Sequence, residues 1–418
     1  MRHHLARRLA AAASAAVLAT LAAGPAAAEV AVVAPEQAGF AATGVEALQA
    51  EMQSLVDQKK LAGAVTLLGR QGKVVHFEAY GVQDVATGQP TTRDTIYRIA
   101  SMTKPVTGVA MMILWEEGRW SLDDPVSKHI PEFADLVVAT ADGGTEPQAH
   151  PMTMRELMSH TAGFDVSAGY EDDGLQDADL KAMIDKLAAL PLAVQPGTDW
   201  RYGPSVNIQG YIVEKLSGQS LDAFFKSRIF DPLKMDDTGF HVDTAKLGRV
   251  SAVHTYGPDG LVAPAGDVRA APTSAPEFLS GSGGLFSTAE DYWRFAQMLA
   301  DGGEFDGARI LKPETVELMR TNVLADGVTV DLYGPSQTGV GFGLDFAVIM
   351  DPAAAGTPQG LNSFYWGGAF GTWFWIDPTN DLVFVGMIQN LRGSIPGAGT
   401  PPMRDISPRL VYEALTTR

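Results

Sequence analysis

The chain has 418 residues, of which 46% are hydrophobic and 19% charged, so it can bury a large core and is not expected to be disordered. Its formal net charge of −18 argues against a nucleic-acid partner and against substrates that carry several negative charges. The sequence contains no cysteine, which excludes disulfides, thiol catalysis and lipid attachment at a cysteine.

The first 28 residues have the pattern of a signal peptide. Arg2, Arg7 and Arg8 form a basic start, residues 9–24 are apolar, and Ala28 ends a run of small residues. An uncleaved membrane anchor is the alternative, but the apolar stretch is short for a span. We therefore expect cleavage after Ala28, giving an exported protein, periplasmic or secreted, with no stable membrane span after processing.

The next segments predict a helix, a hairpin and a second helix. Apolar residues recur at helical spacing in an amphipathic stretch at Val45, Leu48, Met52, Leu55 and Val56. Two β-rich runs, 64–69 and 74–80, flank a turn at Gly72 and predict a hairpin. A helix then follows Ser101 and is expected to end near Gly118.

The predicted secondary structure of the remaining chain changes twice, first to mainly helical and then back to strands. Residues 121–259 have few strand patterns and predict helices at 154–160, 180–190, 207–215 and 221–229. A glycine-rich loop at 280–286 precedes a helix that Thr288 can cap, and strand patterns return at 341–346, 372–376 and 382–388 before a closing helix at 408–415. We therefore expect an α/β protein whose sheet domain, residues 29–120 and 260–418, is interrupted by a mostly helical domain, residues 121–259.

One short pattern carries a candidate nucleophile. Ser101 and Lys104 form the only serine followed by a lysine three residues later, and this spacing places both side chains on one helical face. Serine becomes a nucleophile when a neutral neighbouring group takes its proton, and a desolvated lysine can do so. A helix-capping serine followed by a solvated lysine would show the same four residues.

Two further motifs make the pattern specific. Tyr202, followed by the segment 207–215, and the triplet Trp366, Gly367 and Gly368 occur after Ser101 in the order and rough spacing of the motifs of the serine β-lactamase and penicillin-binding-protein superfamily. The segments 118–125 and 154–164 also match. In detail the chain resembles the class C β-lactamase-like esterases known as family VIII carboxylesterases, over nearly all of its mature length. The resemblance implies an antiparallel sheet flanked by helices, with the active site between the sheet and the inserted domain.

The resemblance also implies roles for individual residues. Ser101 would be the acylated nucleophile, and Lys104 and Tyr202 would move its proton; the sequence does not decide which of the two is the base. The backbone N–H groups of Ser101 and of Ala369, on the strand after Gly368, would form the oxyanion hole.

The third motif would bind the substrate. Gly367 and Gly368 would let it lie close against the strand, and Trp366 would wall an acyl pocket. Where superfamily members that act on lactams carry Lys or His, this chain has Trp366, which cannot attract a carboxylate. The usual Tyr-x-Asn is also altered, because Pro204 follows Tyr202 by two positions; Ser205 or Asn207 could substitute but neither is in register.

These observations favour a serine hydrolase that cleaves small, neutral, short-chain carboxylic esters through an acyl-enzyme. A β-lactamase or D-amino-acid peptidase is the alternative within the superfamily, and a non-catalytic penicillin-recognition protein is the alternative outside enzymes. No serine lies in a G-x-S-x-G pattern, which excludes the usual α/β-hydrolase elbow. No metal or cofactor is expected, since the histidines form no close ligand pattern, and His160 is interpreted as structural.

Overall fold

The structure is a computed structural model that describes residues 30–165, 178–257, 260–262, 270–331, 336–391, 397 and 399–416. The predicted signal peptide lies outside these residues. Within them, none of the helices is both long and apolar enough to cross a membrane. The chain from Ala31 onward packs as one compact unit, and its subdivision into a sheet domain and an inserted helical domain stays a prediction.

The strands concentrate near the two ends of the chain. In chain order they are β1 (Gly63–Arg70), β2 (Lys73–Asp84), β3 (Gln89–Pro90), β4 (Tyr97–Arg98), β5 (Val137–Ala139), β6 (Thr145–Pro147), β7 (Thr255–Gly257), β8 (Gly260–Val262), β9 (Phe286–Ser287), β10 (Glu304–Phe305), β11 (Ala308–Arg309), β12 (Val340–Phe342), β13 (Ala347–Ile349), β14 (Phe364–Gly367), β15 (Trp373–Asp377) and β16 (Leu382–Met387).

Helices occur along the whole of the described chain. They are α1 (Ala42–Asp57), α2 (Thr103–Glu116), α3 (Met154–Met158), α4 (Leu180–Leu187), α5 (Ser205–Ser217), α6 (Leu221–Phe225), α7 (Asp231–Leu233), α8 (Ala289–Ala300), α9 (Pro313–Met319), α10 (Pro352–Ala355) and α11 (Met403–Ala414). The closing helix begins five residues before its predicted start, and Pro408 lies inside it.

An eight-stranded sheet organises the fold. Its order is β12-β13-β14-β15-β16-β1-β2-β3, and every neighbouring pair is antiparallel. The first strand of the described chain therefore pairs with the last, through β1 and β16. The predicted fold class, an antiparallel sheet flanked by helices, is confirmed.

Backbone conformation explains the turn of one hairpin and corrects the prediction for another segment. Gln71 and Gly72 both have positive φ, 53° and 70°, which suits the tight turn between β1 and β2. The predicted single strand over 341–346 is wrong after Phe342. The chain reverses there, with Asp345 at φ 65°, and returns as β13.

The two faces of the sheet are covered by different helices. On one face α1 buries Val45, Leu48, Met52 and Leu55, which confirms the predicted amphipathic helix, and α11 lies beside it. On the other face lies α8, whose N-terminus is capped by Thr288 as predicted. Tyr292 of α8 contacts Met102 at the start of α2, a helix that is buried from Thr103 to Leu114.

Candidate active site

Ser101 lies where the chain enters the buried helix α2. It occupies a single 3-10 turn, Ala100–Met102, and Ala100 before it has a positive φ of 44°. The turn is held from two sides, since Tyr292 donates a hydrogen bond to the Met102 carbonyl at 2.9 Å and Thr372 donates to the Ile99 carbonyl at 3.2 Å. A non-glycine residue at positive φ is a strained arrangement that fixed surroundings must maintain. The start of α2 is therefore a rigid platform for the serine.

Lys104 reaches back to Ser101 from the next helical turn. Its Nζ donates to Ser101 Oγ at 3.2 Å and to the Ser282 carbonyl at 2.8 Å. Burial lowers the pKa of this amine to about 7, although the nearby Asp345 carboxyl acts in the opposite direction. A substantial fraction of Lys104 is therefore neutral at pH 7 and able to accept a proton.

Tyr202 closes the other side of this pair. Lys104 Nζ lies 4.5 Å from the centre of its ring, and Trp366 Nε1 donates to the Tyr202 hydroxyl at 3.4 Å. Burial raises the pKa of Tyr202 to about 12, with hydrogen bonds to Ser101 and Trp366 and the charge of Arg404 opposing it. The phenol is therefore protonated at neutral pH.

The residues of the third motif, Gly367 and Gly368, and the following Ala369 differ from the prediction in their positions and contacts. Gly367 ends β14, and Ala369 lies in the turn that follows, so its predicted position on a strand is wrong. A Cβ at Gly368 would collide with the Ile99 carbonyl oxygen, and one at Gly367 with the Arg404 guanidinium. The glycines thus allow other parts of the protein to approach β14 closely. Ala369 is exposed, and its N–H donates no hydrogen bond to any described residue.

An aromatic cluster surrounds the Tyr202 ring. It consists of His160, Trp200, Tyr202, Phe342 and Trp366, whose neighbouring ring centres lie 4.9–6.5 Å apart. Trp366 is only 4% exposed and so packs mainly against other rings. Both ring nitrogens of His160 lack a hydrogen-bond partner among the described residues, and burial, with the charge of Lys104, holds its pKa well below the usual value. His160 is thus a neutral packing partner of Tyr202.

The glycine-rich loop connects Asn207 to Lys104. Asn207 Oδ1 accepts hydrogen bonds from the Ser282 N–H at 2.9 Å and from Ser280 Oγ at 3.0 Å. The carbonyl of that same Ser282 is the second acceptor of Lys104. Asn207, one of the two residues considered as a substitute for the missing asparagine, therefore acts on Lys104 through the loop.

The sequence did not single out Asp345. Its carboxyl is fully buried near Lys104, and burial raises its pKa well above the usual value. An acidic residue inside an otherwise apolar strand pattern was the available signal. No three His, Asp or Glu side chains within the described ranges are grouped to hold a metal ion.

Comparison with known proteins places this geometry in a family. The sequence matches the beta-lactamase family over residues 48–399. It is 35% identical to protein Rv1367c of Mycobacterium tuberculosis, over 82% of this chain and 89% of the relative, and 32% identical to esterase EstB of Burkholderia gladioli, over 86% and 94%.

A solved structure agrees. EstCE1, described as a hydrolase with promiscuous acyltransferase activity, superposes with a TM-score of 0.75 at 25% identity, covering 90% of this chain and 99% of its own. The chain is thus a member of the serine hydrolase superfamily of β-lactamases and penicillin-binding proteins, and it belongs to the esterase-like family VIII within it.

Proposed function

We propose that the protein is a serine carboxylesterase that cleaves short-chain esters through an acyl-enzyme on Ser101. The observation that carries the proposal is the 3.2 Å approach of Lys104 Nζ to Ser101 Oγ, made by an amine whose pKa burial lowers to about 7. A serine hydroxyl beside a partly neutral amine has a base for its proton. The esterase relatives support this assignment.

The pKa values favour Lys104 over Tyr202 as the base. A phenol with a pKa near 12 is almost never ionised at neutral pH, whereas an amine with a pKa near 7 is often neutral. In the first step Lys104 takes the Ser101 proton while Oγ attacks the ester carbonyl carbon. The N–H groups of Ser101 and Ala369 would stabilise the negative oxygen that forms.

Tyr202 then completes the proton transfer. As the tetrahedral intermediate collapses, the bond to the alcohol oxygen breaks, and that oxygen takes a proton from the Tyr202 hydroxyl. The phenol recovers a proton from Lys104, whose Nζ lies 4.5 Å from the centre of the Tyr202 ring. Water repeats the sequence on the acyl-enzyme and releases the acid.

The preference for neutral esters follows from the groups around the motif. Trp366 supplies no positive charge, and Pro204 no side-chain amide, so a lactam loses two of the groups that would hold it. The acidic chain also disfavours polyanionic substrates.

A β-lactamase or D-amino-acid peptidase is the second candidate, and one observation favours it. The positive charge of Arg404 on α11 acts on Tyr202, so a cation lies near the site even though the third motif lacks one. We infer that this charge does not outweigh Trp366 and Pro204, and that the protein acts after export and cleavage following Ala28.

Hydrolysis of p-nitrophenyl acetate and longer esters, measured beside nitrocefin for wild type and Ser101→Ala, tests the proposal. We expect turnover of the short esters that Ser101→Ala abolishes, and little turnover of nitrocefin. Ester turnover unchanged in Ser101→Ala would refute it, and nitrocefin turnover comparable with that of esters would favour the second candidate. A binding protein without catalysis would show neither activity.

A further inference from the structure

The turn between β12 and β13 delivers a carboxylate to the face of α2 that carries Lys104. Asp345 is 1% exposed and adopts a left-handed conformation, φ 65°. Its N–H donates to the Met158 carbonyl at 3.1 Å, and Gly343 N–H donates to the Phe346 carbonyl at 2.8 Å. The backbone of the turn is therefore fixed, and the side chain is aimed inward.

The residues around the Asp345 carboxyl leave space for it and donate a hydrogen bond to it. A Cβ at Gly108, one helical turn beyond Lys104, would lie 2.8 Å from Asp345 Oδ2, so the helix lacks a side chain where the carboxyl packs. Gln209 Nε2 donates to Asp345 Oδ1 at 3.2 Å. Oδ2 has no hydrogen-bond partner among the described residues. A buried carboxyl with one unpartnered oxygen is costly, which calls for a compensating charge or function.

Lys104, one helical turn before Gly108, is the group whose charge could supply this compensation. Burial favours the neutral form of both groups, but a charge on Lys104 lowers the pKa of Asp345 and a charge on Asp345 raises the pKa of Lys104. The other titratable groups near Lys104 are His160 and Tyr202, both held neutral by burial, while the charge of Arg404 reaches Tyr202. Among the groups that act on Lys104, Asp345 is thus the one able to favour its protonated form.

We propose, on the basis of the proposed function, that Asp345 is a positioning residue: its carboxylate is the buried counter-charge that stabilises the Lys104 ammonium formed when that amine takes the Ser101 proton. Burial raises the pKa of Asp345, but the hydrogen bond that Gln209 donates to Oδ1 and the positive charge of Lys104 oppose this rise, and both favour the ionised carboxylate. No bond is made or broken at Asp345 itself.

Two effects on the pH profile distinguish a counter-charge for Lys104 from a residue that only packs. The acid limb is the part of the profile in which activity falls as pH decreases. Without the negative charge Lys104 would lose its proton more easily, so the acid limb of the activity profile would move to lower pH. The same change would make Lys104 a weaker base, so the plateau rate at high pH would fall. A purely structural defect lowers the rate at all pH values and leaves the limb in place.

Asp345→Asn is the variant that tests the proposal. Asparagine keeps the size of the side chain and tolerates positive φ, so the turn is retained. The measurement is the rate at which a fluorophosphonate labels Ser101, and kcat/KM for p-nitrophenyl acetate, each from pH 5 to 9. We expect the acid limb to shift down by about one pH unit and the plateau to fall.

A second variant and a control complete the experiment. Gln209→Met removes the donor to Asp345 but leaves the turn intact, so we expect a smaller shift in the same direction. Asp291→Asn removes a different buried carboxyl, on α8, and should leave the limb unchanged. Circular dichroism identifies any variant that does not fold, in which case Gln209→Met alone decides.

The outcomes are distinct. A wild-type enzyme that neither labels nor turns over ester refutes the proposed function, and this inference with it. If the wild-type enzyme is active but its acid limb lies at the same pH in folded Asp345→Asn and Gln209→Met, only the role of Asp345 is refuted.

Discussion

The two faces of the central sheet are built from different chemistry. In β14 and β15, Trp366 pairs with Phe374 on the face covered by α8, while Tyr365 pairs with Trp375 on the face covered by α1 and α11. Phe374 contacts Tyr292 of α8, whose hydroxyl holds the turn before α2. One face therefore supports the candidate site through a chain of direct contacts.

The opposite face is mainly an apolar core. Trp373 and Trp375 stack on Phe384, with ring centres 5.8 and 5.5 Å apart, and both indoles donate to Ser407 of α11. Burial of such side chains supplies much of the free energy of folding. The comparison teaches that the α1 and α11 face stabilises the sheet, whereas the α2 and α8 face buries amines and carboxyls that weaken stability and serve chemistry.

The largest expected effect comes from removing the amine on the site face. Lys104→Met keeps the length of the side chain but removes the base, so kcat for p-nitrophenyl acetate should fall by roughly 10²–10⁴-fold. The thermal midpoint should be unchanged or higher, because a buried polar group has been replaced by an apolar one. If Lys104→Met keeps the wild-type kcat, the conclusion that the α2 and α8 face carries the catalytic base is wrong.

The matching change on the other face should affect stability instead. Trp375→Ala empties part of the core between the sheet and α11 and should lower the free energy of unfolding by about 3–5 kcal/mol. Urea denaturation measures this loss. Activity per folded molecule should remain close to wild type, with Trp375→Phe as a milder control; a large loss of kcat in fully folded protein would contradict the comparison.

The pH profile of the wild-type enzyme tests the state of Lys104. Because the amine must be neutral to act as a base and its pKa is lowered to about 7, kcat/KM should fall as pH decreases through 7. Well below that pH the decline should approach tenfold per unit for a single proton. Trp375→Phe should show the same profile. A rate that is flat from pH 5 to 8 would mean that Lys104 is not the base.

A smaller effect concerns a buried carboxyl on the site face outside the catalytic group. Burial raises the pKa of Asp291 from 3.8 to about 7, so its folded-state contribution to stability is present below pH 4 and is lost as pH rises through 7. Asp291→Asn lacks this dependence, so its stability relative to wild type should rise by about 2–3 kcal/mol from pH 5 to pH 8. Urea denaturation of both proteins at pH 5 and at pH 8 measures this change. If the difference in free energy of unfolding between variant and wild type is the same at both pH values, Asp291 does not titrate in this range.

Local patterns predicted the parts of the molecule that depend on local chemistry. The helix of Val45 and Leu48, the turn at Gly72 and the spacing of Ser101 and Lys104 follow from periodicity, glycine conformation and helical geometry. The resemblance added Tyr202, which the structure brings beside them.

What the sequence could not provide depends on contacts between distant segments. Asp345 packs against α2, one turn from Lys104, only because the strand pattern ends early and the chain reverses; a single residue at positive φ leaves little trace in the sequence. The link from Asn207 through Ser282 to Lys104 likewise joins three separated segments. The turn that contains Ala369 is likewise not evident from the sequence, because Gly368 before it lies against Ile99, a residue far away along the chain.

Mass spectrometry of the protein quenched during turnover tests the central claim most directly. After brief reaction with p-nitrophenyl butyrate, peptide mapping should find a butyryl group on the peptide that contains Ser101, and Ser101→Ala should carry none. Steady ester turnover with the acyl group on another residue, or with no acyl group at all, would contradict the role of Ser101 as the nucleophile.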